Sequence, residues 1–274
     1  MIRKQYTIAY WLVFLGLYLL FAIFFRENIQ TFFDLIIALV LIALLVFVLN
    51  YFIARLFSVK LLKILTNECD PDRYLSEYDS FYKISDKSMN KHPIYFVNRY
   101  SGLIYSGRYT EARQTMENAP APELVNKQAY YPIYYVNAAH QNILDGNYDD
   151  ARQKLDYIRN LKLPKKHQSI FINAIDGNEA EILRKQGHLP ESRALLNEVL
   201  SRKIYKLNRL VCIFALGLID VDEQKYNDAR TAFSYVIAEG NKLNLVVLAK
   251  QEVGKIDIKD IDSKAILSQT HLPE

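Results

Sequence analysis

The chain has 274 residues, 51% of them hydrophobic and 23% charged, with 34 Lys and Arg against 30 Asp and Glu. A net charge of +4, with both signs interspersed and no basic block, is too mild to signal a nucleic-acid partner. Residues 1–57 carry only Arg3, Lys4, Arg26, Glu27, Asp34 and Arg55. That split excludes a uniformly soluble globule and a polytopic membrane protein. It predicts a short membrane unit joined to a domain large enough to bury its own core.

Gln5 to Phe25 is a run of 21 uncharged residues, and Leu35 to Ala54 a run of 20. At 1.5 Å per residue each spans roughly 30 Å, the thickness of the hydrocarbon core. The expectation is a two-pass transmembrane hairpin over residues 1–57, with helices at 5–25 and 35–57 and a connection at Arg26 to Asp34. The first run is too long for a signal-peptide core, and no small-x-small cleavage site follows it. Arg3 and Lys4 precede the first run, and Arg55, Lys60 and Lys63 follow the second, against one Arg in the connection. The bias places both termini and the large domain on the cytoplasmic side of the cell membrane. Between their boundaries the runs hold no Asp, Glu, Lys, Arg or His, which argues against a transporter or proton relay. Cys69 and Cys212 match no metal or redox spacing, and a cytoplasmic domain keeps them reduced.

Residues 58–92 read as a juxtamembrane helix and a partial repeat. Asp70-Pro71-Asp72 has the form of an N-cap, a first helical residue and an early acid. Tyr74, Leu75 and Tyr78 then share one side of the helix that follows.

A seven-residue pattern next recurs four times, and internal periodicity decides the fold. It runs Gly107-Arg-Tyr109-Thr-Glu-Ala112-Arg, Gly146-Asn-Tyr148-Asp-Asp-Ala151-Arg, Gly187-His-Leu189-Pro-Glu-Ser192-Arg and Gln224-Lys-Tyr226-Asn-Asp-Ala229-Arg. The steps between the Ala or Ser positions are 39, 41 and 37 residues. Gly closes one helix in the left-handed conformation. Thr110, Asp149 and Asn227 have the chemistry of N-caps for the next. The small Ala or Ser lets two helices approach. Ala151/Leu155/Ile158, Ser192/Leu196/Val199 and Ala229/Phe233/Val236 fall on single helix faces, as do Ala112/Met116/Ala119. Ala139, Ala180 and Gly217 lie twelve residues ahead of their Ala or Ser, and Tyr100 breaks that rule in the first repeat.

This pattern resembles the tetratricopeptide repeat (TPR), of bacterial type. The resemblance covers about residues 93–240 and departs from the family in its 37–41-residue period, in Gln224 for Gly and in lacking the early Trp. It implies an all-α fold in which the membrane hairpin precedes a TPR-like α-solenoid of antiparallel helix pairs. The repeat domain is expected over 93–254, with Leu243 to Val253 as its capping helix. A poorly ordered C-terminal tail is expected over 255–274.

Catalytic chemistry is not signalled. His92, His140, His167, His188 and His271 form no metal pair, and no phosphate loop or nucleophile elbow occurs. The expectation is therefore no enzyme, no metal and no cofactor. Asn98, Asn137 and Asn178 each lie fourteen residues before their turn Ala or Ser, with Ala215 in the fourth repeat. In the family, the first helix of each pair faces the concave surface, and Asn at this place often bonds an extended peptide. An amide offers both donor and acceptor to a peptide unit. The alternative is that Asn is merely tolerated on a solvated face. With Ser101, Tyr105, His140, Glu181 and Arg184 as neighbours, the column is the expected groove. The expected partners are a protein or peptide and the membrane. The resemblance implies a membrane-anchored adaptor, or alternatively a structural subunit whose hairpin contacts partner helices.

Overall fold

A computed structural model describes residues 11–17, 32–82, 93–122, 130–161 and 165–269. All the regular structure among them is helical. Residues 11–17 are a helical piece of the first apolar run, and the rest of that run lies outside the described residues.

The first long element is α1, Phe32–Thr66. It contains no Gly or Pro, so nothing in the sequence interrupts it, and 35 residues give about 52 Å of helix. Its Val40–Thr66 part is the one stretch among the described residues long and apolar enough to cross a membrane, with hydropathy 2.4. Leu41, Leu44 and Phe47 point outward, whereas Phe57, Leu61, Ile64 and Leu65 are buried. The domain boundary expected at residue 57 is therefore not a structural one. The same helix leaves the apolar run and enters the core without a linker. Cys69, at φ 54, turns the chain into α2, Pro71–Tyr82, which packs on α1. The helix expected after Asp70 is thus the second member of a pair whose first member is the end of α1.

Four more pairs follow. They are α3 (Pro93–Tyr105) with α4 (Tyr109–Glu117), and α5 (Tyr130–Leu144) with α6 (Tyr148–Arg159). Then come α7 (Lys165–Lys185) with α8 (Leu189–Ser201), and α9 (Lys206–Asp222) with α10 (Tyr226–Glu239). Each helix packs most on its pair mate, and α3, α5, α7 and α9 also pack in sequence on one another. The last helix is α11, Asn244–Gln269.

The four turns are copies. Gly107, Gly146, Gly187 and Gln224 sit at φ 79, 79, 83 and 61. The next amide reaches back five residues, Arg108 to the Leu103 carbonyl at 2.9 Å, Asn147 to Asn142 at 2.8 Å, His188 to Leu183 at 2.9 Å and Lys225 to Asp220 at 2.7 Å. That is a Schellman closure, and Gln224 adopts it without being glycine. The N-cap expectation is corrected. Arg108, Asn147, His188 and Lys225 hold the cap position, none with a side-chain cap bond. Thr110, Asp149 and Asn227 already lie in the first turn. The closure runs so directly into the next helix that the capping position falls two residues early.

Ala112, Ala151, Ser192 and Ala229 are fully buried where the pairs cross. The Ser192 hydroxyl donates to the Ala180 carbonyl at 2.7 Å, so the two small positions touch. At Gly217 a Cβ would stand 2.7 Å from the Phe233 ring. Tyr109 of the first turn is exposed, and Tyr148, Leu189 and Tyr226 at the same place in the other three are half-buried. The Arg that ends each motif makes a contact the sequence reading did not assign. Arg113 holds Asp145, Arg152 holds Glu179 at 3.0 Å, Arg193 holds Asp220 at 2.7 Å and Arg230 holds Asp257 at 2.9 Å. Each carboxylate belongs to the next repeat or to α11.

The row of pairs closes on itself. Helix α9 packs on α1. The Lys242 amide donates to the Cys69 carbonyl at 3.2 Å, and Asn241 Nδ2 to the Glu68 carbonyl at 2.8 Å. Phe57, Leu61 and Ile64 of α1 share one buried core with Leu207, Leu210, Phe233 and Leu243. The tail expectation is also corrected at its start. Helix α11 continues unbroken past Val253, with Ile256 buried and Asp257 paired to Arg230. Its polar composition thins the burial but contains no breaker after Gly254.

Candidate functional site

The closed row leaves a cavity of about 570 Å³ at its centre. Its wall comes from α3, α5, α7 and α9, the first helices of the four repeats, and from the start of α11. Asn137, Asn178, Tyr105 and His140, four of the expected groove residues, line it, with Ser101 and Glu181 beside them. Asn98 and Arg184 are outside the lining.

The asparagine column therefore splits three ways. Asn98 is half-buried, and its backbone carbonyl accepts the Tyr74 hydroxyl at 3.2 Å. Asn137 is buried, and its amide donates to the Val97 carbonyl at 2.7 Å, stitching α5 to α3. That is a structural bond, because a buried side-chain amide left without an acceptor is costly. The Asn178 side-chain amide has no hydrogen-bond partner among the described residues, and it faces the cavity. Arg184 grips Glu181 at 2.8 Å and reaches Asp222 at 3.6 Å. It braces the wall rather than forming it. Lys185, one residue on, stands exposed at the rim instead.

Three wall residues were missed by the column. Asn208 lies seven residues before Ala215, two helical turns back on the same face, so the helical period could have found it. Asn173 reaches the wall too, while its amide oxygen accepts Arg202 at 3.1 Å. Asn244 belongs to α11, which carries no turn motif. It donates to the Tyr109 hydroxyl at 3.0 Å and closes the ring across the repeats. Five of the chain's 18 asparagines thus meet at one cavity.

Burial favours the neutral forms of four wall groups, Tyr100, Tyr105, His140 and Cys212, while Asp145, Glu181 and Lys185 line the wall beside them. Burial lowers the His140 imidazole below its ordinary value, with the Glu181 charge opposing. His140 Nδ1 shares a hydrogen bond of 3.0 Å with the Tyr100 hydroxyl, whose own titration burial pushes far up. Burial, with a smaller push from Cys212, raises Tyr105 to about 12. Burial raises the Cys212 thiol to about 11, against Arg209. A thiol so placed stays protonated at neutral pH and is a poor nucleophile. The wall offers amides, hydroxyls and a neutral imidazole between apolar surfaces such as Val136, Val211, Phe214 and Leu218. Such a surface can hydrogen-bond amide and hydroxyl groups, and Asp145, Glu181 and Lys185 add charge to it. Among the described residues no three His, Cys, Asp or Glu side chains converge as a metal site.

No protein family, curated protein or solved structure matches the chain.

Proposed function

We propose that the chain is a membrane-anchored adaptor built on TPR-like repeats, which binds a segment of a protein partner in its central cavity. The apolar runs 5–25 and 35–54 cross the membrane as a hairpin and leave both termini and the repeat domain at the cytoplasmic face. Tethering raises the effective concentration of the repeat domain for partners at that surface. In support stand the four turn motifs, closed in the same way, and the charge bias around the apolar runs.

The observation that carries the binding reading is the pair of side-chain amides, Asn178 and Asn208, that have no hydrogen-bond partner among the described residues and line the cavity from the neighbouring first helices α7 and α9. An amide left without a protein partner in a half-buried wall is one a ligand amide can satisfy. Closure of the ring changes the form of the site. A cavity of about 570 Å³ sits within the 300–1,000 Å³ range of enclosed ligand sites. It admits a chain end or a short loop, not a long extended peptide.

The test compares partners co-purified from membranes with the full wild-type chain and with Asn178→Ala/Asn208→Ala. Both changes leave internal hydrogen bonds intact, so the fold is retained. Loss of a specific partner is expected, and an unchanged partner list would sink the cavity as the site.

A further inference from the structure

We infer that the part of α1 just beyond its apolar run, Arg55 to Lys63, is a docking surface for anionic phospholipid headgroups. This rests on the reading that residues 35–54 span the bilayer.

The first observation is unpaired charge. Among the described residues, Arg55, Lys60 and Lys63 have neither ion pair nor hydrogen-bond partner, although α2 next door carries acids. Elsewhere many arginines are used internally, as Arg73, Arg99, Arg152, Arg193 and Arg202 each hold a carboxylate. The other unpaired cations among the described residues, Lys185, Lys203, Arg209 and Lys250, are scattered singly over different helices and loops. Lys63 also sits in the last turn of α1, where the helix dipole favours a cation. Arg55 and Lys60 have no such reason.

The second observation is exposed apolar surface between those charges. Leu56, Val59 and Leu62 are 61%, 60% and 45% exposed. They stand three residues apart on one side of α1, while Phe57, Leu61 and Ile64 on the other side are buried. The outer face of this segment, with Arg55 and Lys63 exposed on it and the half-buried Lys60 at its edge, is therefore a cationic, apolar strip, the pattern that lies in a membrane interface. A second protein helix would have to bring acids to the cations as well as an apolar face to Leu56, Val59 and Leu62. Anionic headgroups over acyl chains match both.

The third observation is reach. Because α1 is unbroken, Lys63 lies eight residues beyond Arg55, about 12 Å along the axis. With Arg55 at the edge of the hydrocarbon, Lys60 is about 8 Å out, within a headgroup layer and one Debye length of the surface. Each cation near an anionic surface favours binding by about fivefold, so three together approach about a hundredfold at low salt.

The test uses the full chain carrying Val59→Cys, with an environment-sensitive fluorophore on that thiol, since Cys69 and Cys212 are buried. The labelled chain is reconstituted in phosphatidylcholine vesicles containing quencher-labelled phosphatidylglycerol or quencher-labelled phosphatidylcholine. Severalfold stronger quenching by phosphatidylglycerol is expected, fading as salt is raised. In Arg55→Gln/Lys60→Gln/Lys63→Gln the two lipids should quench alike, with the helical circular dichroism unchanged. Equal quenching in the unmutated collar, or a preference that survives the triple change, overturns the proposal. So does a probe that neither lipid reaches, which would place a helix on the strip. An alkaline wash separates the two premises: a chain that leaves the vesicles contradicts the spanning reading itself, whatever the lipid preference.

Discussion

The ammonium of Lys242 lies 2.8 Å from the Asp70 carboxylate, across 172 residues of chain. Asp70 stands just after α1, and Lys242 lies in the turn between α10 and α11. The contact therefore fastens the last repeat to the foot of the apolar helix. Asp70 has a second task, since its other oxygen accepts the Arg73 amide at 3.0 Å and so caps α2. Removing each partner should have different effects. Lys242→Met removes only the closure, so faster amide exchange is expected at Asn241 and at the start of α2, with the global midpoint little moved. Asp70→Ala removes the closure and the cap, and should cost about 1 kcal/mol more through the cap alone. Equal effects in denaturant titration would show that the cap bond carries no weight.

The same pair sets a pH window. Burial pushes the Asp70 carboxyl up, but the hydrogen bonds from Lys242 and the Arg73 amide, together with both charges, hold it below its ordinary value. The hydrogen bond to Asp70 holds Lys242 above its ordinary value. A carboxyl lowered in the fold stabilises above its unfolded value of about 3.9 and loses that effect as pH falls through the folded value. An ammonium raised in the fold stabilises below about 10.4 and loses the effect as pH rises through the folded value. The closure is therefore complete between about pH 4 and pH 10. The stability difference between the wild type and Asp70→Asn, from denaturant midpoints, should be flat across that range and shrink toward pH 3. A difference that grows on acidification would contradict the assignment.

The four arginine rungs are graded by burial. Arg193 meets Asp220 and Glu223 at 2.7 Å each, and the Asp220 side chain is only 8% exposed. Arg193→Ala leaves that carboxylate nearly buried and alone. A loss of about 2–3 kcal/mol is expected, below the full penalty because Arg193 is partly exposed. Arg113 and its partner Asp145 are more open, with Arg113 51% exposed, so Arg113→Ala should cost under about 1 kcal/mol. Thermal midpoints of the two variants give the comparison, and a reversed order would show that the rungs do not act through desolvation.

How far the sequence could be read follows from which interactions are local. The turns were legible because Gly at fixed spacing acts on its own backbone. The small residues at the pair crossings were legible because each crossing joins two helices a short turn apart, and Ala112, Ala151, Ser192 and Ala229 are all buried. The asparagine column was only half legible. Asn137 and Asn178 line the cavity, but Asn137 spends its amide on Val97, forty residues away, and Asn98 misses the cavity. The closing contacts were not legible at all. Lys242 and Asp70 carry no shared period, and only the accumulated curvature of the row brings them together. The same holds for α11, where Ile256 is buried against the core although its surroundings are polar.

Gln224 gives the sharpest test of the turn logic. It holds the glycine position of the fourth turn at φ 61, and its amide donates to the Val221 carbonyl at 3.0 Å as Gly107, Gly146 and Gly187 do to theirs. A side chain in the left-handed region costs about 1–2 kcal/mol, which this turn sustains because α9 and α10 pack tightly on either side. Gln224→Gly removes that cost but frees the unfolded chain, so a net gain of about 0.5–1 kcal/mol is expected. Gly146→Ala runs the comparison backwards. Its φ is 79 and nothing lies within 4 Å of the added Cβ, so the loss there, about 1 kcal/mol, is backbone strain alone. Denaturant midpoints of the two single variants should move in opposite directions by similar amounts. If Gln224→Gly destabilises, then the glutamine side chain contributes a contact that outweighs its backbone conformation, and the fourth turn differs in kind from the other three.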